Sequence, residues 1–149
     1  MSPVEYTDFL HRNIPLVAAM QARVVACGKG GIELAAPLAP NRNHRSTAFG
    51  GSLATLGIVA GWALIEQGLR EEGVKARIVI QKSECEYLEP VAREFSASSR
   101  LPAKEWPQFL ATLRKRGKAR IEVEAELSCE GKPVVRHRGT FVAVEGAGP

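Results

Sequence analysis

The stretch Phe49–Ile65, FGGSLATLGIVAGWALI, decides the fold of this chain, because it contains 17 consecutive residues without a charged side chain. A helix formed by such a stretch is apolar on every side, so the rest of the chain has to bury it all round. Ser46 or Thr47 can cap its start. Charged residues follow directly and mark a solvated end, and Gly73 is expected to stop the helix.

The same stretch has the composition of a short transmembrane span. Its length lies at the lower limit for crossing a bilayer, and it contains four glycines, a serine and a threonine. Gly57 and Gly61 lie four residues apart, near Ala54, and this spacing lets a sheet approach the helix backbone closely without a membrane partner. We therefore expect a buried core helix and no membrane span.

Patterns before and after this helix predict the other elements. A capping-box pattern at Ser2–Glu5 begins a short amphipathic helix that ends near Asn13. Residues 102–113 are expected to hold a short helix or an ordered loop, and residues 146–149 a frayed tail. Alternating and β-branched residues predict six strands: Ala22–Ala26, Ile32–Ala36, Ala76–Tyr87, Arg93–Leu101, Ala119–Cys129 and Val134–Val144.

The order of these elements predicts an α+β architecture, with a sheet of about six strands around one buried helix. The length of 149 residues suits a single domain spanning residues 1–149. Such a sheet has open edges, and one common way to cover them is edge-to-edge pairing in a dimer. We expect a homodimer or a homotetramer.

Composition restricts the partners. The net charge of +4 and the pI near 9.2 favour an anionic partner, such as a nucleic acid, a phosphorylated cofactor or an acidic carrier protein. No nucleic-acid-binding motif is present, so nucleic acid ranks last. The three cysteines are odd in number and none has CxxC spacing, which argues against a disulfide framework and a metal site. A reducing cytoplasm is the natural location.

The loop and helix start at residues 37–51, PLAPNRNHRSTAFGG, resemble the signature of hotdog-fold thioesterases of the phenylacetyl-CoA type. The chain is more similar to the YiiD-type thioesterase domain family, and this resemblance covers nearly the whole chain. It rests on these residues: Ile14-Pro15-Leu16, Asn41, Asn43, Thr47–Leu53, Gly61-Trp62, Tyr87 and Pro90-Val91. The resemblance implies a hotdog fold, an antiparallel sheet of five to six strands around the long helix, and hydrolysis of acyl thioesters. It implies no cofactor other than coenzyme A as part of the substrate.

Thioester hydrolysis places negative charge on the carbonyl oxygen, and fixed N–H donors stabilise that charge. With the resemblance, the Gly50 or Gly51 amide at the helix start is the expected donor, and Asn43 would position the water or the carbonyl. Ser52 and Thr55, one turn further on, are candidates to hold a water. The alternatives are structural: glycines for tight packing, an asparagine that shapes a turn, and hydroxyls bonded to the helix backbone.

One departure from the phenylacetyl-CoA type concerns the catalytic base. That type carries a histidine before its two glycines and an aspartate nine residues after the histidine; these positions are Phe49 and Ile58 here. Glu84, Glu86 and His44 are other candidates for the base. Their alternative interpretation is a solvated strand face for the glutamates and an exposed loop for the histidine.

Basic and aromatic residues are candidates for substrate contacts. Arg42 and Arg45 in the loop, and Lys118 and Arg120 in the basic run 114–120, are expected to contact coenzyme A phosphates or an acidic carrier protein. Phe49 and Tyr87 are expected to contact the substrate. The sequence therefore predicts a hydrolase of acyl-CoA or acyl-carrier-protein thioesters, with a non-catalytic acyl-thioester binding module as the alternative.

Overall fold

A six-stranded antiparallel sheet packs around one long helix in the computed structural model, which describes residues 1–146. The strand order is β1-β2-β4-β5-β6-β3, so β1 and β3 form the two edges. The helices are α1 Pro3–Asn13, α2 Pro15–Ala19, α3 Gly50–Glu71 and α4 Trp106–Arg116. The strands are β1 Arg23–Gly28, β2 Gly31–Ala36, β3 Ala76–Tyr87, β4 Phe95–Arg100, β5 Lys118–Cys129 and β6 Lys132–Glu145.

Helix α3 is the predicted central helix, and it ends where Gly73 predicts: Glu72 is the C-cap, and Gly73 follows with φ +70°. The charged last turns stay helical, and Glu66 pairs there with Arg70. α3 is long and apolar enough to cross a membrane, but 67% of its most apolar window is buried inside the protein. It is the core helix of the sheet, as expected.

Glycines set the close contact between α3 and the sheet, as their spacing predicted. A Cβ atom added at Gly57 would lie 2.8 Å from the Cβ of His137, and one added at Gly61 would lie 2.8 Å from Cε1 of Phe141. Both partners lie on β6. Because real Cβ atoms do not approach this closely, only glycine lets the helix backbone lie directly on these two side chains.

Helix α1 begins with the predicted capping box. The Ser2 hydroxyl accepts the Glu5 N–H at 3.2 Å, and the Glu5 carboxylate accepts the Ser2 N–H. The Tyr6 hydroxyl of α1 donates to the carbonyl of Ala63 on α3, which ties the first helix to the core. The sequence pattern does not predict the short helix α2: Pro15 favours a break after Asn13, whereas in the structure it stands in the first turn of a new helix.

All six predicted strands are present, with ends shifted by a few residues, and two tight turns join neighbouring strands. Lys29 and Gly30 link β1 to β2, and Glu130 and Gly131 link β5 to β6. All four have positive φ, as a type I′ hairpin turn requires. The predicted helix or loop at 102–113 is α4, whose last turn carries part of the basic run.

The start of α3 differs from its prediction, and most of the predicted tail is not described by the structure. The predicted caps Ser46 and Thr47 are wrong, because Phe49 is the N-cap of α3 and no side chain bonds to the helix start. Thr47 instead accepts a hydrogen bond from Asn43. Apart from Gly146, the predicted frayed tail lies outside the described residues.

The glycine contacts predict the effect of a single methyl group. Gly61→Ala would ordinarily stabilise a helix by about 1 kcal/mol, but the clash with Phe141 should reverse the sign and cost about 1–3 kcal/mol. Urea unfolding measures the difference. Gly50→Ala is the matched control, because its new Cβ would meet Tyr87 at an ordinary 3.5 Å. A Gly61→Ala variant as stable as wild type would contradict the close contact.

Candidate functional site

The start of α3 is an uncapped helix end. The first N–H to find an acceptor there is that of Ser52, which bonds to the Phe49 carbonyl at 2.9 Å. Within residues 1–146, the Gly50 and Gly51 N–H groups have no acceptor. Two free N–H groups and the positive end of the helix dipole make this point suited to an anionic oxygen.

A loop held by backbone hydrogen bonds presents this helix start. The Phe49 N–H donates to the Asn41 carbonyl and the Ala48 N–H to the Val91 carbonyl, each at 2.7 Å. Asn41 is only 2% exposed, and its side-chain amide donates to the carbonyls of Met20 and Pro37. Its Oδ1 has no partner among the described residues. Asn41 therefore anchors the loop in the core, a role that sequence reasoning did not assign to it.

Asn43 is engaged within its own loop. Its Oδ1 accepts the N–H groups of Arg45 and Thr47 at 2.8 and 3.1 Å, and its Nδ2 donates to the Thr47 hydroxyl at 2.9 Å. These contacts match the turn-shaping alternative. Because its oxygen is already bonded twice, Asn43 keeps only one side-chain N–H free for a substrate or a water.

Two exposed aromatic rings flank the helix start. Phe49 is 58% exposed, and its ring occupies the space that a side chain at position 51 would need. Tyr87 is 52% exposed and donates its hydroxyl to the Gly50 carbonyl at 3.0 Å. Partial burial, with the neighbouring Cys85, raises the pKa of Tyr87, so this hydroxyl is neutral at pH 7. The structure thus brings Phe49, Gly50, Gly51 and Tyr87 together.

The two hydroxyls further along the helix differ. Thr55 donates to the Gly51 carbonyl at 2.7 Å, so its proton is used by the helix backbone. The half-buried Ser52 hydroxyl forms no hydrogen bond to any described residue. Of the two, Ser52 is therefore the one available to a water. Ile58 packs against the core.

The basic residues fall into two groups. Arg42 and Arg45 are exposed on the loop before α3, and neither forms an ion pair within residues 1–146. Lys118 and Arg120 start β5 at the opposite end of the sheet, where Lys118 pairs with Val144. Arg120 bonds to Gln81 across the sheet surface. Within one chain, the structure brings the loop arginines to the helix start and leaves the β5 pair far from it.

A β-bulge at Gln81 decides which β3 side chains face the helix. Between Ile80 and Lys82 the register with β6 shifts by one, and the alternation reverses. Ser83, Cys85 and Tyr87 therefore share the inner face of the sheet with their partners on β6.

The glutamates of β3 lie on the outer face as a result. Glu84 pairs with Lys82 and Glu86 with Arg136, both exposed. The solvated-face interpretation therefore describes them better than a base in the pocket. They border a groove of about 710 Å³, where Glu86 pairs with Arg136 and Glu124 with Arg138.

The bulge also places Ser83 beside a histidine that sequence reasoning missed. His137 on β6 is 2% exposed, and its Nε2 lies 2.7 Å from the Ser83 hydroxyl. Burial lowers the pKa of His137, which favours the neutral imidazole. A signal was available: His137 alternates in phase with Val135 and Phe141, so it had to face inward.

No group of three or more histidine, cysteine or carboxylate side chains suited to a metal ion occurs within the described residues. The three cysteines are free thiols. The site is thus built of backbone N–H groups, aromatic rings and hydroxyls.

A family model described as "Putative thioesterase (yiiD_Cterm)" matches residues 4–145. The chain belongs to this family. The match covers the whole sheet, α3 and the loop before it, and it confirms the YiiD-type resemblance and the hotdog fold.

Solved structures with the same fold support the assignment. A putative thioesterase from Shewanella oneidensis is similar at 29% identity, with a TM-score of 0.86 over 94% of this chain and 95% of that one. A protein of unknown function from Chlorobaculum tepidum is similar at 27% identity, with a TM-score of 0.89 over 95% and 93%. The phenylacetic acid degradation protein PaaI from Thermus thermophilus shares the fold at 22% identity and a TM-score of 0.62, over 86% and 97%.

The contacts of Asn43 predict a graded loss of stability. Asn43→Ala removes three side-chain hydrogen bonds and should lower the free energy of unfolding by about 1–2 kcal/mol. Asn43→Asp keeps both accepting roles and should lose less. Urea unfolding of the two variants measures the order. Equal stability of Asn43→Ala and wild type would mean that the loop does not depend on this side chain.

Proposed function

We propose that this member of the thioesterase family hydrolyses acyl thioesters at the start of α3. The observation that carries the proposal is the pair of free N–H groups of Gly50 and Gly51 at an uncapped end of a buried helix. The thioester carbonyl oxygen gains charge when water attacks, and these donors meet it without reorganisation. Gly50 offers its N–H without a side chain that hinders approach.

The residues around the helix start suit a substrate whose acyl group is attached to a phosphorylated thiol such as coenzyme A. The exposed rings of Phe49 and Tyr87 offer apolar surface beside the helix start. Arg42 and Arg45 supply unpaired positive charge on the same loop for the phosphates of coenzyme A or of an acyl carrier protein. Coenzyme A then enters as part of the substrate, and a cytoplasmic location agrees with the free thiols.

The first test removes one N–H donor without removing the helix. Proline has no N–H but is favoured at the first helical position, and the N-cap Phe49, at φ −64° and ψ 133°, already has the conformation that precedes proline. Gly50→Pro should lower kcat for acyl-CoA hydrolysis by about 10²–10³-fold, the loss typical of one oxyanion donor. Thiol release from short, medium, long and aromatic acyl-CoAs measures the rate.

Gly50→Ala is the matched control, because it keeps the N–H and adds a Cβ in ordinary contact with Tyr87. A second pair, Gly51→Pro and Gly51→Ala, tests the other donor; both carry Phe49→Ala, since the Phe49 ring leaves no room for a side chain at 51. If each proline variant is as fast as its alanine match, the helix start is not the oxyanion site. A protein-only blank accounts for the three cysteines.

A second candidate function is a non-catalytic module that binds acyl thioesters. It is favoured by Ile58, which packs against the core where the phenylacetyl-CoA type carries its aspartate, and by the engagement of Asn43 in its own loop. Such a module would show a raised melting temperature with acyl-CoA but no thiol release. The same panel therefore distinguishes the two functions.

We also propose that the chain works as a homodimer or as a tetramer of such dimers. Strand β3 is a twelve-residue edge without a neighbour on one side. Val79 is 60% exposed on it, and Tyr87 and Leu88 are exposed at its end beside the helix start. A long open edge with apolar side chains is a natural pairing surface for a second copy.

Sedimentation velocity at micromolar concentration tests this assembly. The expected species has twice the chain mass of 16.1 kDa, or four times that mass for a tetramer. Val79→Lys places a charge on the exposed edge and should shift the distribution toward monomer. Val25→Lys is the matched control, because Val25 is 47% exposed on β1 at the opposite edge of the sheet. A wild-type monomer would contradict the proposal.

A further inference from the structure

The Ser83–His137 pair is a serine and a neutral imidazole in direct hydrogen-bond contact. The Ser83 Oγ and His137 Nε2 atoms are 2.7 Å apart, on the two neighbouring strands β3 and β6. Gly139, directly opposite Ser83, has no side chain, and this leaves room for the imidazole to reach across. A hydroxyl hydrogen-bonded to a neutral imidazole can pass its proton to that ring.

The surroundings favour an imidazole that takes up a proton only transiently. The titratable group facing His137 from β3 is Cys85, whose pKa is raised by burial. From β5 the facing residue is Ala125, and from α3 it is Gly57. The neighbouring carboxylates, Glu84 on β3 and Glu124 on β5, are exposed on the other face of the sheet.

The pair reaches from the core to the open edge of the sheet. Gly57 of α3 lies directly on His137, so the imidazole is held against the central helix. Ser83 is exposed on the edge strand, while His137 is buried behind it. The hydroxyl therefore connects the buried ring to whatever lies along the open edge.

One chain does not bring the pair to its own helix start. Gly57 lies seven positions after Gly50, and a rise of 1.5 Å per residue puts them about 10 Å apart. A single water does not span that distance. The open β3 edge, however, is the surface on which the proposed second copy pairs.

We propose that the Ser83–His137 pair of one copy is the general base for the thioester held at the helix start of the other copy. This inference rests on the proposed hydrolase function. The water oxygen bonds to the thioester carbon, its proton passes to Ser83 Oγ, and the Ser83 proton passes to His137 Nε2. The C–S bond then breaks, and the leaving thiolate takes the proton back through Ser83. The products are the carboxylic acid and the free thiol.

Kinetics of three variants test the base. His137→Gln should lower kcat by about 10²–10⁴-fold with KM little changed, the contribution typical of a general base. Ser83→Ala should lose less, because a water can take the place of the hydroxyl; since Ser83 is exposed, this variant is a test even if His137→Gln does not fold. His11→Gln, on α1 and outside the site, is the histidine control.

The pH dependence of kcat distinguishes a catalytic role of His137 from a purely structural one. A neutral imidazole is the active form, so wild-type kcat should fall at acid pH, through a pKa below the ordinary value of about 6.5. This acid limb should be absent in His137→Gln. The proposal of direct attack by water would be wrong if Ser83→Ala lost all activity and mass spectrometry found an acyl group on Ser83 of the wild type.

Mixed dimers test the crossing between copies. A dimer of one His137→Gln chain and one Gly50→Pro chain, isolated through two affinity tags, keeps one intact site if the pair acts across the edge. Its expected rate is about half that of wild type. A mixed dimer as inactive as either parent overturns the crossing.

The outcomes distinguish the two levels of the proposal. If wild type hydrolyses acyl-CoA and His137→Gln is equally fast with the same acid limb, His137 is not the general base. The proposed hydrolase function is then unaffected. Wild type that hydrolyses no thioester in the panel overturns both.

Discussion

The whole structure depends on burying a helix that has no charged side. Helix α3 can be buried all round only if the sheet comes very close to its backbone, and the glycines make that approach possible. Gly57, Gly61 and Gly68 each face a ring that a Cβ would meet at under 3 Å, from His137, Phe141 and Trp106 respectively. Two elements, β6 at two points and α4 at one, therefore pack at a distance set by the glycines of the same helix.

This contact also determines where the backbone of α3 is accessible. A helix held on every side is free only at its ends, and the α3 start emerges beside Tyr87, at the end of the edge strand. Its N–H groups keep no internal partner, because the N-cap is Phe49, which has no polar side-chain atom. A serine or threonine at position 49 could cap the helix by accepting the N–H of Gly51 or Ser52. The uncapped start costs helix stability and leaves the N–H groups of Gly50 and Gly51 without an acceptor among the described residues.

The sequence predicted the order and burial of the helices and strands, but not which side chains of β3 and β6 face the helix. The two outcomes have different physical reasons. Burial of α3, the strands and the tight turns follow from local signals, such as the uncharged stretch and Glu130-Gly131. Local signals do not show which β3 side chains face the helix, because the residues after Ile80 are nearly all polar. Nothing in the local sequence indicates the bulge at Gln81. His137 was overlooked for the opposite reason: it stands between two arginines, although its phase with Val135 places it inside.

The distribution of charge across the sheet explains why the proposed base is an imidazole and not a carboxylate. A carboxylate on the inner face would lose its hydration against an apolar helix, and α3 offers it no cation before Arg70. The carboxylates Glu84, Glu86 and Glu124 lie instead on the outer face, beside basic partners. A neutral imidazole can be buried with a single hydroxyl partner, as His137 is by Ser83. In the proposed reaction, negative charge would develop on the carbonyl oxygen at the helix start, where the helix dipole favours it.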